Sequence, residues 1–492
     1  MLMRNGGQGG VVGSSPPFDS SLAEREISYL NSAAEALDWK APNGSTFSLE
    51  IPPTVYPPRR DTDLLAEVLC RGPLKPGVHF LEIGCGSGAL SLLAASQGCS
   101  VHACDINPMA VACTRALLAS HNVRGEVREG GPGPSEDGDP RQWGGDRLYD
   151  VVAWNLPYLP LPQEGPYLGP MEEAALVDSD ALGLYERFLN LVKNGFLLRM
   201  SGVAYLVVSN RKDGRFACER AWSKGLAARV IETTTFEDGE YVLVLQIWHP
   251  FASGKVTKHA EVTSTNEVLL ASNEPVGTSI ITVRQTEGRG RRGRSWVAHP
   301  GALLSSWVVA NAADAIHAPA DQLRIGADIT RLARFLLQDD ARHDVCLKWP
   351  NDVYLHTSDA GRWRKAGGVL FEGRSQGSQS AIVLGVGLNL KQPPEREHAG
   401  LAEAGITLKP GDLHLMLHGL VASMVEQRGL AGSTEMVRQR VEEEVMLGMK
   451  ALGDVFYRNK KIVATGVSRD GALQISGGVE VDEPEDLTWS NI

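Results

Sequence analysis

Residues 285–296 read QTEGRGRRGRSW. Three glycines (Gly288, Gly290, Gly293) alternate with four arginines (Arg289, Arg291, Arg292, Arg294), and Trp296 closes the run. Glycine lets a ligand approach the backbone closely, and successive backbone N–H groups can form an anion-binding nest. Each guanidinium adds a permanently charged planar fork suited to phosphate or carboxylate. The terminal aromatic ring offers a face for a base. The stretch therefore predicts a site for a nucleotide phosphate or for a nucleic acid, and the rest of the chain has to decide between them.

At 492 residues the chain has room for about three domains. It is 43% hydrophobic and 22% charged, ordinary for a globular protein, and its formal net charge is −11. That acidic balance argues against a general nucleic-acid coat, which needs a positive field. Seven scattered cysteines include no C-x-x-C pair, so reduced thiols, no metal site and a cytoplasmic setting are predicted. Residues 1–20 carry no long apolar core of a secretory signal and read as a disordered tail. They contain Gly6-Gly7-Gln8. No apolar run reaches membrane-spanning length, so no membrane partner is predicted.

Upstream, Ser21 and Glu24 form a capping-box pattern, and Ile27, Leu30, Ala34 and Leu37 share one helical face, which predicts a helix there. Residues 46–51 alternate like a strand, and 55–65 (VYPPRRDTDLL) lead into a helix that stops before Gly72-Pro73. An apolar strand, 78–83, then runs into Glu82-Ile83-Gly84-Cys85-Gly86-Ser87-Gly88. A helix over 89–97 and a strand over 100–104 follow, the strand ending at Asp105. Glycines allow a tight strand-to-helix turn, and the acid at the next strand end is placed to bond a ribose diol. After the strand 149–154 comes Asn155-Leu156-Pro157-Tyr158. An Asn side-chain oxygen and the next backbone carbonyl can accept from a planar NH₂ and aim its nitrogen, and the tyrosine can stack on the planar group.

These features resemble the S-adenosylmethionine-dependent amino-methyltransferases with a [DN]-P-P-[YFW] motif. Residues 55–248 resemble the HemK/PrmC class of N5-glutamine methyltransferases, in its shorter archaeal and eukaryotic branch. The resemblance implies an α/β, Rossmann-like domain with a seven-stranded sheet over about 21–250, completed by the apolar strands 200–209 and 241–248. It implies S-adenosylmethionine contacts at Thr62, Glu82, Gly84, Gly86, Gly88, Asp105 and Asn155, with Glu129 meeting the adenine amine. Asn155, Pro157 and Tyr158 would carry the transfer. Leu156 stands where the class has proline, a form seen in ribosomal-RNA adenine dimethylases, so an RNA adenine amine stays an alternative acceptor. In the class the acceptor is the Gln of a G-G-Q motif in a peptide-release factor, and Gly6-Gly7-Gln8 reads as a chance match. A module that only binds S-adenosylmethionine or a partner is the remaining alternative.

A hydrophilic connection, about 249–260, is predicted to end this half. Beyond it lie Ser264-Thr265-Asn266, the opening stretch, Lys348-Trp349-Pro350-Asn351-Asp352, Lys365-Ala366-Gly367-Gly368-Val369-Leu370 and Gly385-Val386-Gly387-Leu388-Asn389. In this order they resemble the biotin protein ligases of the BirA class, over about 260–492. The resemblance implies an α+β catalytic domain (251–442) and a small C-terminal SH3-like barrel (443–492) of short strands. The helix-turn-helix of repressor-type ligases has no counterpart here, so no DNA partner is predicted, and the repetitive RGG-like reading of residues 285–296 falls away.

The implied substrates are ATP and biotin with Mg²⁺, the implied partner is a biotin carboxyl carrier protein domain, and the ligase half could dimerise. By the same resemblance Ser264, Thr265, Asn266 and Gln285 line the biotin end, and Gly288, Arg289, Gly290 and Arg291 hold carboxylate and phosphate. Lys348 bridges the two anions, Trp296 covers the adenine, and Asn389 lies near the nucleotide. Lesions in either half are expected to leave the other activity alone.

Overall fold

Apolar side chains alternate with polar ones along Thr46–Ile51 (β2), so one face is buried and the other exposed. The strand pairs antiparallel with Glu35–Lys40 (β1) across a turn at Asn43-Gly44, in the register Leu37↔Leu49. The helix predicted through Ala34 and Leu37 is thus wrong at its C-terminal end. Leu37 and Trp39 are strand residues, and cross-strand pairing with a turn-favouring Asn-Gly outweighs the helical spacing. The computed structural model describes residues 34–133, 139–157, 182–210, 214–236, 239–311, 318–337, 344–357, 361–376 and 379–492. The tail with Gly6-Gly7-Gln8, the predicted helix start at Ser21, and Tyr158 lie outside the described residues.

The first half then follows the α/β pattern. Helix α1 (Arg60–Cys70) precedes β3 (His79–Ile83), α2 (Ala89–Ser96), β4 (Ser100–Asp105), α3 (Pro108–Ser120), β5 (Gly125–Glu129), the short α4 (Pro140–Gly144) and β6 (Tyr149–Asn155). Helix α5 (Leu184–Lys193), β7 (Leu198–Ser209), α6 (Ala217–Ser223), β8 (Ala227–Thr235) and β9 (Tyr241–Trp248) complete it. The sheet order is β5-β4-β3-β6-β7-β9-β8. Strands β5 through β7 are parallel, and β9 runs antiparallel to both β7 and β8. The chain reverses its direction of growth between β3 and β6, and a ligand crevice opens at the carboxyl ends of strands at such a switch point.

The second half is a largely antiparallel seven-stranded sheet, ordered β10-β11-β12-β16-β15-β14-β13. Its strands are β10 (Val256–Val262), β11 (Ser279–Gln285), β12 (Leu303–Ala310), β13 (Val345–Lys348), β14 (Asp352–Thr357), β15 (Arg362–Gln376) and β16 (Gln379–Leu388). The segment expected to be a connection therefore contributes an edge strand: β10 pairs parallel with β11, which its exposed, polar sequence did not announce. Helices α7 (Thr265–Ala271), α8 (Ala318–Leu336), α9 (Pro410–Val425) and α10 (Thr434–Ala451) pack around this sheet. The expected start of the strand-rich tail at 443 falls inside α10, and the first tail strand begins at Val455. The tail forms two three-stranded antiparallel sheets. Among the described residues no helix is long and apolar enough to cross a membrane.

The halves share buried packing. Leu413, Leu417, Leu420 and Val421 of α9 belong to the same apolar cluster as the core of the first sheet. Gly419 lies so close to the first half that a Cβ there would sit 2.3 Å from the Leu226 carbonyl oxygen. The Ser423 hydroxyl accepts from Ala228 N at 2.8 Å and from Trp222 Nε1 at 2.9 Å. Beyond the helix, Glu426 Oε2 accepts from Trp248 Nε1 at 2.8 Å and Phe251 N at 3.0 Å.

Candidate active sites

The opening stretch leaves β11 and closes on itself. Gly290 N donates to Arg294 O at 2.7 Å and Trp296 N to Gly288 O at 2.8 Å. Gly288 is needed for this closure, since a Cβ there would lie 2.5 Å from the Trp296 carbonyl oxygen. The loop borders a cavity of about 320 Å³ that brings together Ser264, Thr265, Asn266, Gln285, Arg289, Gly290, Arg291, Trp296 and Lys348. Gly288 and Asn389 do not line it. Asn389 is buried at the end of β16, where its backbone bonds Ala366 and Leu401, and its Oδ1 has no partner among the described residues.

The four arginines separate into two groups. Arg289 pairs with Glu267 at 3.1 Å and Glu372 at 3.5 Å. Arg292 pairs with Glu483 and Glu485, and Arg294 with Glu485. Arg291 lines the cavity, and its Nη1 is buried without a partner among the described residues. A buried unpaired donor is costly, so the geometry is ready for an anion. Sequence reasoning missed Glu372, Glu483 and Glu485. The acid-rich run Glu483-Pro484-Glu485-Asp486 was the available signal, because it complements the arginine run. Pro484, Glu485 and Leu487 line the cavity, so the C-terminal tail forms part of its wall.

At one end, Gln285 Oε1 accepts from Thr265 N at 2.8 Å and Thr265 Oγ1 at 3.1 Å. The Ser306 hydroxyl lies 2.7 Å from Thr265 Oγ1 and 2.6 Å from Asn266 Oδ1, and Asn266 Nδ2 donates to Glu372 at 2.7 Å. Ser264-Thr265-Asn266 thus starts α7 and also forms a buried polar cluster. Gly385 and Gly387, on the same face of β16, make room for the neighbouring side chains. A Cβ at Gly385 would lie 2.4 Å from Asn266 Oδ1, and one at Gly387 2.6 Å from the Trp296 ring.

Lys348, at the end of β13, faces the rings of Tyr354 and Trp489, each 5.6 Å away, and makes no ion pair among the described residues. Burial holds its ammonium below the usual lysine value, helped by Lys365 and Arg294 and opposed by Asp352. A second lysine, Lys365, pairs with Asp352 at 2.7 Å and lies 5.5 Å from the Trp296 ring.

In the first half the glycine turn leaves β3 with positive φ at Gly84, Gly86 and Gly88 (66°, 50° and 81°). A Cβ at Gly88 would come within 2.8 Å of Thr114 Oγ1, so the turn is also packed tightly. Asp105, at the end of β4, accepts from Gly86 N at 2.8 Å and Asn107 N at 2.9 Å. Glu129 is opposite Asp105 in the strand register and is exposed. Glu82 is buried against the Ser91 hydroxyl, and that burial pushes its carboxyl up to about 8.

Asn155 ends β6 beside the turn. Its Nδ2 donates to Asp61 Oδ2 at 3.0 Å, while its Oδ1 is buried with no partner among the described residues. Asp61, overlooked in the sequence, is adjacent to Thr62 and accepts from Thr62 N at 2.8 Å. Thr62 Oγ1 in turn accepts from Arg59 N at 3.3 Å at the start of α1. Pro157 follows, partly exposed.

Comparison with known proteins agrees with this division. The model of the Biotin/lipoate A/B protein ligase family matches residues 253–389, and that of the Methyltransferase small domain matches residues 60–136. The Bifunctional ligase/repressor BirA of Escherichia coli is 29% identical over 244 residues, 46% of this chain and 71% of the relative. The Ribosomal protein L11 methyltransferase of Nitratiruptor is 30% identical over 125 residues, 25% of this chain and 40% of the relative. A solved biotin protein ligase from Aquifex aeolicus in complex with biotin and ATP has 23% identity and a TM-score of 0.38, covering 48% of this chain and 99% of its own. The chain therefore joins an N-terminal small methyltransferase domain to a C-terminal domain of the biotin/lipoate protein ligase family, both of them enzyme families.

Proposed function

We propose that the chain is a bifunctional enzyme. Its C-terminal half is an ATP-dependent biotin–carrier protein ligase, and its N-terminal half is an S-adenosylmethionine-dependent methyltransferase of the N5-glutamine type. The observation that carries the ligase reading is the convergence on one cavity of Arg291, whose Nη1 has no partner among the described residues, of Lys348, which makes no ion pair among them, and of the Thr265–Gln285 pair.

In the first step a biotin carboxylate oxygen attacks the α-phosphorus of ATP, and pyrophosphate leaves with the bonding electrons. Two anions must meet, so fixed positive charge aimed at the developing transition state is the main requirement. Lys348 lies between the arginine loop and the Trp349–Asn351 wall, where partial burial strengthens its field. Arg291 is assigned the carboxylate and phosphate, and Arg289, tied to its glutamates, fixes the loop. Thr265 and Gln285 are assigned the ureido end, and Trp296 the adenine face. The lining carboxylates, Asp352 and Glu485, are both held in ion pairs, so they do not fit a Mg²⁺ site of the chain's own, and no step is routed through one. In the second step a carrier lysine amine attacks the acyl carbon of the mixed anhydride, AMP leaves, and the new amide nitrogen loses its proton.

In the methyltransferase half the unpaired Asn155 Oδ1, oriented by Asp61, supports acceptance of a hydrogen bond from a planar NH₂. The acceptor nitrogen then attacks the sulfonium methyl, the carbon–sulfur bond breaks toward sulfur, and a proton leaves the nitrogen. The glutamine assignment and a release-factor partner rest on the sequence resemblance. The relative named for ribosomal protein L11 supports a protein acceptor. We assign the tail the SH3-like barrel fold, with Pro484, Glu485 and Leu487 forming part of the cavity wall, and the chain a cytoplasmic setting.

Labelled biotin, ATP and a carrier domain test the ligase. Lys348→Ala should cut biotin transfer at least ~100-fold, the scale of losing one charge-stabilising donor, with S-adenosylmethionine affinity unchanged. A normal transfer rate in this variant would remove Lys348 from the chemistry. Labelled S-adenosylmethionine with cell lysate identifies the methyl acceptor: glutamine supports the reading, and adenine in RNA replaces it.

A further inference from the structure

We propose that His299, Glu395 and His398 form a binding site for a transition-metal dication of the zinc class, separate from the biotin and nucleotide contacts. One potential ligand atom from each lies within 4.8 Å of the others. The pair His299 Nδ1 and Glu395 Oε2 is 3.2 Å apart, and the two imidazole centroids are 5.4 Å apart. Ligands held about 2.0–2.1 Å from a tetrahedral ion lie roughly 3.3 Å from one another, so only His398 has to close in by a small rotation. His398 Nδ1 is buried and has no hydrogen-bond partner among the described residues, and an ion would satisfy it. His299 is 6% exposed, whereas Glu395 reaches solvent, which gives the ion an entry path.

The framework is fixed by bonds that do not involve the proposed ion. His398 N donates to Glu395 O at 3.1 Å, so a single turn presents both ligands of a Glu-x-x-His pair. Arg364 Nη1 donates to His398 O at 2.9 Å, and Ala399 N to Lys365 O at 2.9 Å, which anchors the turn to β15. Two imidazoles and a carboxylate suit zinc, with nickel and copper as competitors, and leave a fourth position for water. Mg²⁺ and Ca²⁺ prefer all-oxygen sets and should not compete. His299 is three residues beyond Trp296, and His398 is beside Lys365, so an ion would tie the segment after Trp296 to the edge of the ligase cavity.

The full-length chain, stripped with chelator, is titrated with Zn²⁺ by calorimetry and with Co²⁺ by visible absorption. The expected result is one equivalent bound, with intense d–d bands. Affinity should fall at least 10-fold in Glu395→Gln, whose side chain is half exposed and leaves folding untouched, and at least 100-fold in His398→Ala. No binding below 100 μM, or unchanged affinity in both variants, overturns the proposal. Unchanged affinity would place the ion on other groups, such as cysteines.

Discussion

Gly387 separates the contribution of Trp296 from everything else in the ligase cavity. Its φ is not in the left-handed region, so alanine costs no backbone strain. The new Cβ would lie 2.6 Å from Cε2, 2.7 Å from Cζ2 and 2.9 Å from Nε1 of Trp296. Carbon atoms rest about 3.5–4.0 Å apart, so the indole must retreat by about 1 Å along its whole edge. Overpacking of this kind costs about 1–3 kcal/mol of stability. Displacing an aromatic from a base forfeits stacking of about 1–3 kcal/mol, which is roughly a 5- to 150-fold loss of affinity. Gly387→Ala should therefore weaken ATP binding by that factor. The Thr265–Gln285 end is anchored by its own hydrogen bonds, so biotin affinity should change less than ~3-fold. Calorimetry with each ligand alone measures both. If Trp296 acts through stacking, Trp296→Ala should show a similar loss, and the double variant should add little to it. ATP affinity unchanged in Gly387→Ala, or ATP and biotin weakened equally, would refute the assignment of the indole to the nucleotide.

Asn155→Ala removes the free Oδ1, so methyl transfer should fall at least ~100-fold while S-adenosylmethionine binding, read by calorimetry, stays within a few-fold. Glu426→Ala strips two buried donors, Trp248 Nε1 and Phe251 N, of their acceptor. At about 1–3 kcal/mol per unsatisfied group, the melting transition should drop by several degrees and both activities should fail at the same temperature. Burial holds His414 at about 3 and His418 at about 4. The unfolded chain takes up these protons first as pH falls through about 6.5, so stability present at neutral pH is lost in acid. At pH 5 the loss is roughly 2 kcal/mol per histidine. Denaturant midpoints that do not move between pH 7 and pH 5 in the wild type, relative to a His418→Gln variant, would contradict this.

The sequence disclosed the parts of this molecule that depend on local spacing. The glycine turn after β3, Asp105 and Asn155 all stand at carboxyl ends of adjacent or near-adjacent strands because strand–turn–helix units force them there. Most of the ligase motifs converge because they lie on strands of one sheet, β11 and β13 to β16, or on the arginine loop and the start of α7 that border it. Long-range pairing was harder to read. Strand β10 is almost wholly exposed, so no apolar alternation marks it, and only its parallel pairing with β11 makes it a strand. Leu37 fitted a helical face until Asn43-Gly44 folded it against Leu49. Which arginine stays free could not be known before Glu372, Glu483 and Glu485 were located in space. Asn389 is a similar case. Its motif is present, yet the side chain is buried and does not line the cavity, and the visible work of Gly385 and Gly387 is to clear space for Asn266 and Trp296.

The shared core changes what the fusion means. Two enzymes joined by a linker would unfold separately and could be exchanged. Here α9 belongs by sequence to the ligase half, but it lies against α6 and β8 of the methyltransferase half. Gly419 permits backbone approach, Ser423 takes donors from Ala228 and Trp222, and Glu426 takes donors from Trp248 and Phe251. Gln246 adds a further pair across the same face, bonding Arg428 O at 2.6 Å and Leu430 N at 2.7 Å. Each of these hydrogen bonds satisfies a group on a buried residue of the first half, so neither half can lose the other without exposing apolar surface and orphaning polar groups. Lys348 is on β13, four strands along the sheet from the β12 on which α9 packs, so Lys348→Ala is expected to act locally. Lesions on α9 or at Glu426 reach both halves through these bonds, so they are expected to lower the stability of the two together. The same surface is where a ligand-driven shift in one half would reach the other, since β8 and β9 complete the sheet that carries Asn155 while α9 packs on β12, two strands from the Lys365 strand.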